Sequence, residues 1–594
     1  MLSIVSMGTP VARLLRFGMF EVDPRSGELL RQGSRIKLQN QPFQVLTLLL
    51  ESPGEVVTRE EFRRRLWPGN TYGDFDCALN KAINGLRRAL GDRAGRPRFV
   101  ETLQRRGYRF VARVEAGRTA TGDVGSARYP RLQQRVARID SLAILPLENL
   151  SGDPAQEYFS DGMTEELISA IARISGVRVI SRTSVMTFKG TRKSLSDIAK
   201  ELRVQGIVEG SVARSEQRVR ITAQLIHVAE DRHLWSGRYE RELRDVLRLQ
   251  AEIAQDITRQ IRNVVDPEQA SPTTQVRQVH PQAFEAWLKG NHFRDRMTPA
   301  DLEKSVGFFT AAAGLDPAYA QAYADLSRVY FYLGLYGVRH PAEMFSKASA
   351  SAVRALELDE TVAVARSALA VTHILHDWDW GSAEAECRRG VELNPGDYMT
   401  HAHLADYMSI RGRHDEAIEE ARRVLEVNPI SRVYLGWYGL ILHRARRYDE
   451  SIAQCRKALE IDPTYPNALW FLALSMEQKG KLREAIAALK RAASLSAGPH
   501  HQAQLGRAYG IAGERTKALH ILRDLKALSR RRYVSPFDLA VVHAGLGDLA
   551  ALFQRLEVAY GQRVFRIIEL TLPMFDGLRS DPRWQDLVQR IGLR

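Results

Sequence analysis

Asn80, Lys81, Asn84, Arg87 and Arg88 fall in the run DFDCALNKAINGLRRAL, residues 74–90, whose spacing predicts one helix. At about 100° per residue these five share an arc of roughly 120°. Leu79, Ile83, Leu86 and Leu90 cluster on the opposite arc, which the small Ala78, Ala82, Gly85 and Ala89 extend. An inward apolar face and an outward Asn/Lys/Arg face suit readout of duplex DNA in the major groove. An Asn amide can bond adenine at two points, Arg can do the same to guanine, and Lys or Arg can hold phosphates. A solvated charged face would give the same arc, so the neighbouring elements must decide.

Those elements point the same way. Arg93, Arg96 and Arg98 lead into FVETL, then QRRG, then YRFVARV, which predicts two strands joined by a turn carrying Arg105 and Arg106. Such a tip can enter a minor groove or clamp phosphates; the plainer alternative is an edge hairpin protected by charge. Upstream, residues 15–38 alternate apolar and polar around Asp-Pro and Gln-Gly turns, the pattern of a small antiparallel sheet. Pro42 opens a helix with Phe43, Leu46, Leu49 and Leu50 on one side, and Pro53-Gly54 stops it. Thr58 and Glu61 form a capping box for a second helix that buries Phe62 and Leu66 and ends at Trp67-Pro68. Sheet, three helices and basic hairpin together predict an α+β winged helix-turn-helix over residues 12–114.

The segments PFQVLTLLLESPGEVVTREEFRRRLWP, LNKAINGLRRALGD and PRFVETLQRRGYRF resemble the OmpR/PhoB-type effector domain, nearest to the CadC/ToxR-like branch of bacterial transcription regulators. The resemblance covers nearly all of residues 14–114, with GYRF its most diagnostic piece. It implies a third helix in the major groove and a wing in the adjacent minor groove. By position it places Asn80, Lys81, Asn84, Arg87 and Arg88 toward DNA, with Arg105 and Arg106 in the wing. Two departures matter. About a dozen residues precede the domain, too few for a phosphoacceptor domain, and residues 115–140 contain no membrane helix. A phosphorelay-independent regulator without direct membrane sensing is expected, its signal arriving through the C-terminal regions.

Charge is consistent with an anionic partner at this end or, equally, with an arginine-rich genome. The chain is +15 overall, and residues 1–115 hold 20 Lys and Arg against 12 Asp and Glu. At 594 residues it exceeds a single core. No apolar run approaches the roughly 18 residues of a membrane helix, and no signal peptide is evident. A cytoplasmic location is expected. Cys77, Cys387 and Cys455 lie far apart, without metal-ligand spacing.

Residues 115–140 lack apolar periodicity and read as a linker. Residues 141–262 alternate strands and helices, an α/β domain whose pieces AILPLENLSGDPAQEYFSDGMTEELI and HLWSGRYER resemble the TolB amino-terminal-like domain. That family implies no established catalysis. Asp161, Glu165 and Glu166 are read as a charged first helical turn favoured by the helix dipole rather than as an acidic site. A second joint, 263–280, leads to an α-helical region over 281–594. There Pro395, Pro429 and Pro463 recur every 34 residues, as do Gly412, Arg446 and Gly480, and Ala417, Ser451 and Ala485. This is the signature of a tetratricopeptide-repeat solenoid, with looser copies on either side.

No nucleotide loop, dinucleotide fingerprint, zincin motif, nucleophile elbow or CxxC occurs. His401 and His403 are predicted on different faces of one helix, and DWDW at 377–380 is expected to pack a helix junction and cap its successor. No enzyme, no cofactor and no metal is expected. The chain reads as a sequence-specific DNA-binding transcription regulator, with double-stranded promoter DNA as one partner. A protein or peptide meets the repeats, and self-association and RNA polymerase are further partners; no membrane partner is expected. The rival reading is an assembly scaffold whose winged helix contacts protein.

Overall fold

The structure is a computed structural model. It describes residues 15–23, 28–31, 34–36, 38, 40–66, 75–92, 95, 97–103, 106–116, 139–172, 177–215, 218–242, 253, 256, 279–496 and 498–593. The chain divides into two compact units between residues 133 and 134.

The first unit begins with an antiparallel meander of β1 (Leu15–Phe17), β2 (Phe20–Asp23), β3 (Glu28–Arg31) and β4 (Ser34–Ile36). Then come α1 (Asn40–Glu51), β5 (Val56–Thr58), α2 (Arg59–Leu66), α3 (Phe75–Leu90), β6 (Val100–Leu103), β7 (Gly107–Phe110) and β8 (Glu115–Ala116). β8 pairs with β1, while β5, β7 and β6 form a separate three-stranded sheet in that order. One bond of the expected capping box is present: the Glu61 N–H donates to Thr58 Oγ1 at 3.1 Å. Phe43, Leu46, Leu49 and Leu50 on α1 and Leu79, Ile83, Leu86 and Leu90 on α3 are all buried in one core. Phe17 meets Phe110 edge-on at 4.8 Å and Phe20 meets Phe99 at 5.3 Å, so the meander closes over the hairpin.

Gly107 opens β7 where the hairpin crosses β5. A Cβ there would lie 2.1 Å from the Val57 carbonyl oxygen and 2.9 Å from the Thr58 Cα. Backbone cannot retreat as a flexible side chain can, so Gly107→Ala should cost about 3 kcal/mol or more. Hydrogen exchange of the β5–β7 amides should quicken on the order of 100-fold; unchanged protection would contradict the assigned strand pairing.

The second unit starts with a mixed sheet ordered β11-β9-β12-β13-β14, with β10 beside β12. β9 (Ser141–Ile144) pairs in parallel with β11 (Arg178–Val179) and the first part of β12 (Gly206–Arg214), whose later part pairs in parallel with β10 (Glu148–Asn149). β12, β13 (Arg218–His227) and β14 (Arg232–Glu242) form an antiparallel trio. Helices α4 (Glu157–Ala172), α5 (Arg182–Val185) and α6 (Leu195–Leu202) pack on it. After β14, Ile253 and Asp256 are helical, and the rest of residues 243–278 lies outside the described residues.

Eight helix pairs follow among the described residues. They are α7 (Pro281–Arg296) with α8 (Pro299–Leu315), α9 (Ala320–Leu335) with α10 (Pro341–Leu358), α11 (Ala363–Thr372) with α12 (Trp380–Leu393), and α13 (Tyr398–Ile410) with α14 (His414–Val427). The rest are α15 (Arg432–Arg444) with α16 (Tyr448–Ile461), α17 (Pro466–Gln478) with α18 (Leu482–Leu495), α19 (Pro499–Ile511) with α20 (Arg515–Leu528), and α21 (Pro536–Gly545) with α22 (Leu549–Gly561). Gly412, Arg446 and Gly480 mark the turn within a pair. Each takes a left-handed backbone, φ 77°, 62° and 74°, which lets the next N–H reach back to a carbonyl five residues earlier. Gly513 and Gly547 repeat this turn at φ 77° and 70°, carrying the period into the copies whose sequence drifts. Successive first helices touch one another more than successive second helices do, so the first helices form the inner wall of the curve. Asp379 caps α12 by accepting from the Ser382 N–H, and the Trp380 indole donates to the Ile591 carbonyl at 2.8 Å, so DWDW does pack and cap a junction.

A single apolar core runs from the sheet into the first pairs, joining Leu142, Ile207 and Met163 to Phe284, Leu288 and Phe309. A Cβ on Gly162 of α4 would overlap the Leu288 side chain of α7 at 2.3 Å, so Leu288 packs directly on the α4 backbone. α4 begins at Glu157, so Asp161, Glu165 and Glu166 stand past its first turn, and the dipole reading is corrected. Asp161 takes Lys189 at 2.5 Å and Glu165 takes Arg294 at 3.0 Å; charge pairing across elements places these two carboxylates.

Candidate nucleic-acid interface

α3 turns its apolar arc to α1, and a close approach tightens the contact: a Cβ at Gly85 would meet Pro42 at 3.1 Å. The polar arc then divides into two stripes. Lys81, Asn84 and Arg88 are exposed, and their side chains make no ion pair or hydrogen bond among the described residues. Spaced 3 and 4 apart in sequence, they lie within about 60° of one another on the helix surface. Three uncompensated polar groups on one ridge are free to meet a nucleic acid.

Asn80 and Arg87 form the second stripe, on the flank beside the wing. Asn80 is exposed, but its Oδ1 accepts from the Tyr108 hydroxyl at 2.8 Å and from Arg59 Nη2 at 3.3 Å. Tyr108 belongs to β7 and Arg59 opens α2, so Asn80 ties three elements together. Arg87 departs further from the outward placement expected for it. Only 8% exposed, it donates through Nη2 to the Val100 carbonyl at 2.8 Å and to Thr102 Oγ1 at 2.7 Å. Its guanidinium bonds α3 to β6. The reason lies in the helix: Ile83 and Leu90 stand three residues beyond Asn80 and Arg87, so both polar residues border the buried row.

The wing is anchored by a residue absent from the sequence-based site. Asp92 follows the left-handed Gly91, and its buried carboxylate accepts the backbone N–H groups of Arg98, Phe99 and Val100 at 2.7, 3.1 and 2.8 Å. Gly-Asp directly after a helix, followed by a basic loop, is the signal that could have found it. Of the two turn arginines, Arg106 is exposed, with its carbonyl accepting from the Arg59 N–H at 3.2 Å; Arg105 lies outside the described residues. Arg109 is neutralised by Glu101, with both bonds at 2.9 Å or less.

Elsewhere the candidate ligands stay apart. His401 binds Glu420 at 2.5 Å, while His403 binds Ser367 at 2.9 Å on another face of α13. No group of three or more metal-ligating side chains occurs among the described residues, nor a helix long and apolar enough to cross a membrane.

Residues 33–110 match the family described as transcriptional regulatory protein, C terminal, and residues 442–508 match the tetratricopeptide repeat. The chain is 33% identical over 187 residues to a Rhizobium meliloti (strain 1021) protein bearing an adenylate cyclase name, covering 32% of each. It is 35% identical over 99 residues to the cholera toxin homolog transcriptional activator of Vibrio parahaemolyticus, 16% of this chain and 34% of that protein. It is 23% identical over 358 residues to transcriptional regulator HilA of Salmonella typhimurium (strain LT2), covering 59% of each. The chain thus spans between a third and three fifths of these relatives' lengths.

Proposed function

We propose that this chain is a sequence-specific, DNA-binding transcription regulator of the cytoplasm. Residues 12–114 bind promoter DNA, the TolB amino-terminal-like residues 141–262 serve as a coupling element, and repeats over 281–594 receive a protein or peptide signal. The observation that carries this reading is the unpaired stripe Lys81, Asn84 and Arg88 beside an exposed Arg106, on a domain whose fold and family are those of transcriptional regulators. Asn84 reads a base edge, Lys81 and Arg88 read bases or hold phosphates, and Arg105 and Arg106 meet the backbone or minor groove. Asn80 and Arg87 act at one remove: they fix the angle between α3 and the wing, so that both can touch one duplex. Self-association on repeated half-sites and contact with RNA polymerase belong to the same reading. Catalysis does not: the polar clusters described above are bound up in structural pairs.

Salt dependence tests the reading against a protein-contacting scaffold. With about 4–6 phosphates neutralised, log affinity for a duplex should fall against log salt with a slope near −4 to −5. Arg106→Ala should reduce that slope by about one and weaken all sequences alike. A flat salt response would favour the scaffold.

A further inference from the structure

Other segments of the chain pack on the repeats. Residues 564–578 pack against the second to sixth pairs. Phe565 meets Phe345 edge-on at 6.0 Å, Ile568 joins Phe331, Tyr407 and Tyr438, Leu572 joins Leu440 and Leu472, and Arg446 pairs with Asp576 at 2.6 Å. The segment 181–185 meets the first and fourth pairs. Arg182 pairs with Asp295 at 2.5 Å, and Ser181 bonds both the Val427 carbonyl at 2.9 Å and the Asn428 side chain at 2.5 Å. Beside α4 a cleft of about 1020 Å³ stays open, walled by α4, α7, α9, the segment 356–364 and the turn before α13.

Its chemistry is one-sided. Partly exposed apolar surface comes from Leu358, Val364, Tyr398 and Met399, and seven carboxyl side chains line the cleft with two guanidiniums; Glu165 and Asp325 pair with Arg294, and Glu357 with Arg354 at 2.9 Å. The guanidiniums of Arg182 and Arg328 are already matched to Asp295 and Asp325. Glu357, Asp359 and Glu360 are exposed along one side. A cleft with low-dielectric walls and one sign of charge focuses its field on the opposite charge. We propose that this cleft is where the repeats take their signal, and that it accepts a short peptide segment of a partner protein bearing Lys or Arg next to apolar side chains. Its ammonium or guanidinium groups meet the carboxylates while its apolar groups lie on Val364 and Met399. A ligand spanning α4 and α9 touches both the sheet and the repeats, which gives the signal a route between them. This deepens the reading proposed above and rests on it only for the purpose of the signal.

The test uses the full chain and a fluorescent hexapeptide of alternating Lys and Leu, with a Glu/Leu hexapeptide for comparison, read by anisotropy at physiological salt. On a chain of net charge +15, preference for the cationic peptide requires a local acidic site. The Lys/Leu peptide should bind at least tenfold tighter than the Glu/Leu peptide. The double variant Glu357→Lys with Glu360→Lys, both at exposed positions, should lose at least tenfold. Glu416→Lys with Glu419→Lys, which line a different groove, should bind as the unaltered chain does. Equal binding of the two peptides, absence of binding, or equal loss in both double variants would overturn the proposal. Duplex binding measured on the same samples keeps the outcomes separate, because loss of the cleft assignment leaves the DNA reading standing and the converse also holds.

Discussion

Arg294→Met should loosen the joint between α4 and α7 by about 3–5 kcal/mol. The Arg294 guanidinium, 5% exposed as a residue, meets Glu165 at 3.0 Å, Asp295 at 2.9 Å and Asp325 at 3.1 Å. Arg182 and Arg328 complete a lattice of three cations and three anions. Burial alone would raise the Asp325 carboxyl above its ordinary range, yet Arg328 and Arg294 hold it below, so the group is charged and depends on its neighbours. Methionine fills much of the volume but leaves three carboxylates facing two guanidiniums in an enclosed space. Exchange of α4 and α7 amides should accelerate on the order of 10²–10³-fold. A change under about tenfold would mean that the apolar contact of Gly162 with Leu288, not the charges, holds the joint.

This lattice shows where the sequence stops informing. Glu165, Asp295 and Asp325 come from three helices separated by up to 160 residues, and nothing local says that they meet. Local patterns were far more legible. The α3 arc, the α1 stripe and the Thr58–Glu61 cap are all set by helical periodicity and by orphan N–H groups, which act within a few residues. The 34-residue period likewise revealed the helix pairs, because the left-handed turn recurs wherever Gly412, Arg446 and Gly480 stand. What periodicity could not supply was the identity of the surface that each polar flank meets. Asn80 and Arg87 look like Lys81 and Arg88 on a wheel, and only the return of β6 and β7 beside them separates positioning from contact. The packing of residues 564–578 on the repeats was hidden for the same reason, since their partners lie up to 237 residues away.

Arg87→Ala should destabilise the wing by about 3 kcal/mol. Two hydrogen bonds from a charged donor, each worth about 1.5–3 kcal/mol, are lost, and the Val100 carbonyl is left short of a partner in a dry site. Lysine at this position cannot present the forked donor and should restore little. The β6 and β7 amides should exchange on the order of 100-fold faster, while α1 keeps its protection. Duplex binding should weaken by a similar factor on matched and scrambled sequences, because the loosened wing serves every site. A loss confined to one preferred sequence would instead return Arg87 to base reading.

The central claim, that the unpaired stripe of α3 reads DNA sequence, is tested most directly by selecting genomic fragments with the purified full chain near physiological salt. The same selection is then made with Asn84→Ala and Arg88→Ala combined. With each base or phosphate contact worth about 1–3 kcal/mol, the double variant should lose about 30-fold or more in affinity for the selected sequence. Enrichment of a common motif that disappears in the variant is the predicted result. No enrichment by the full chain, or a motif that survives both substitutions unchanged, would contradict it.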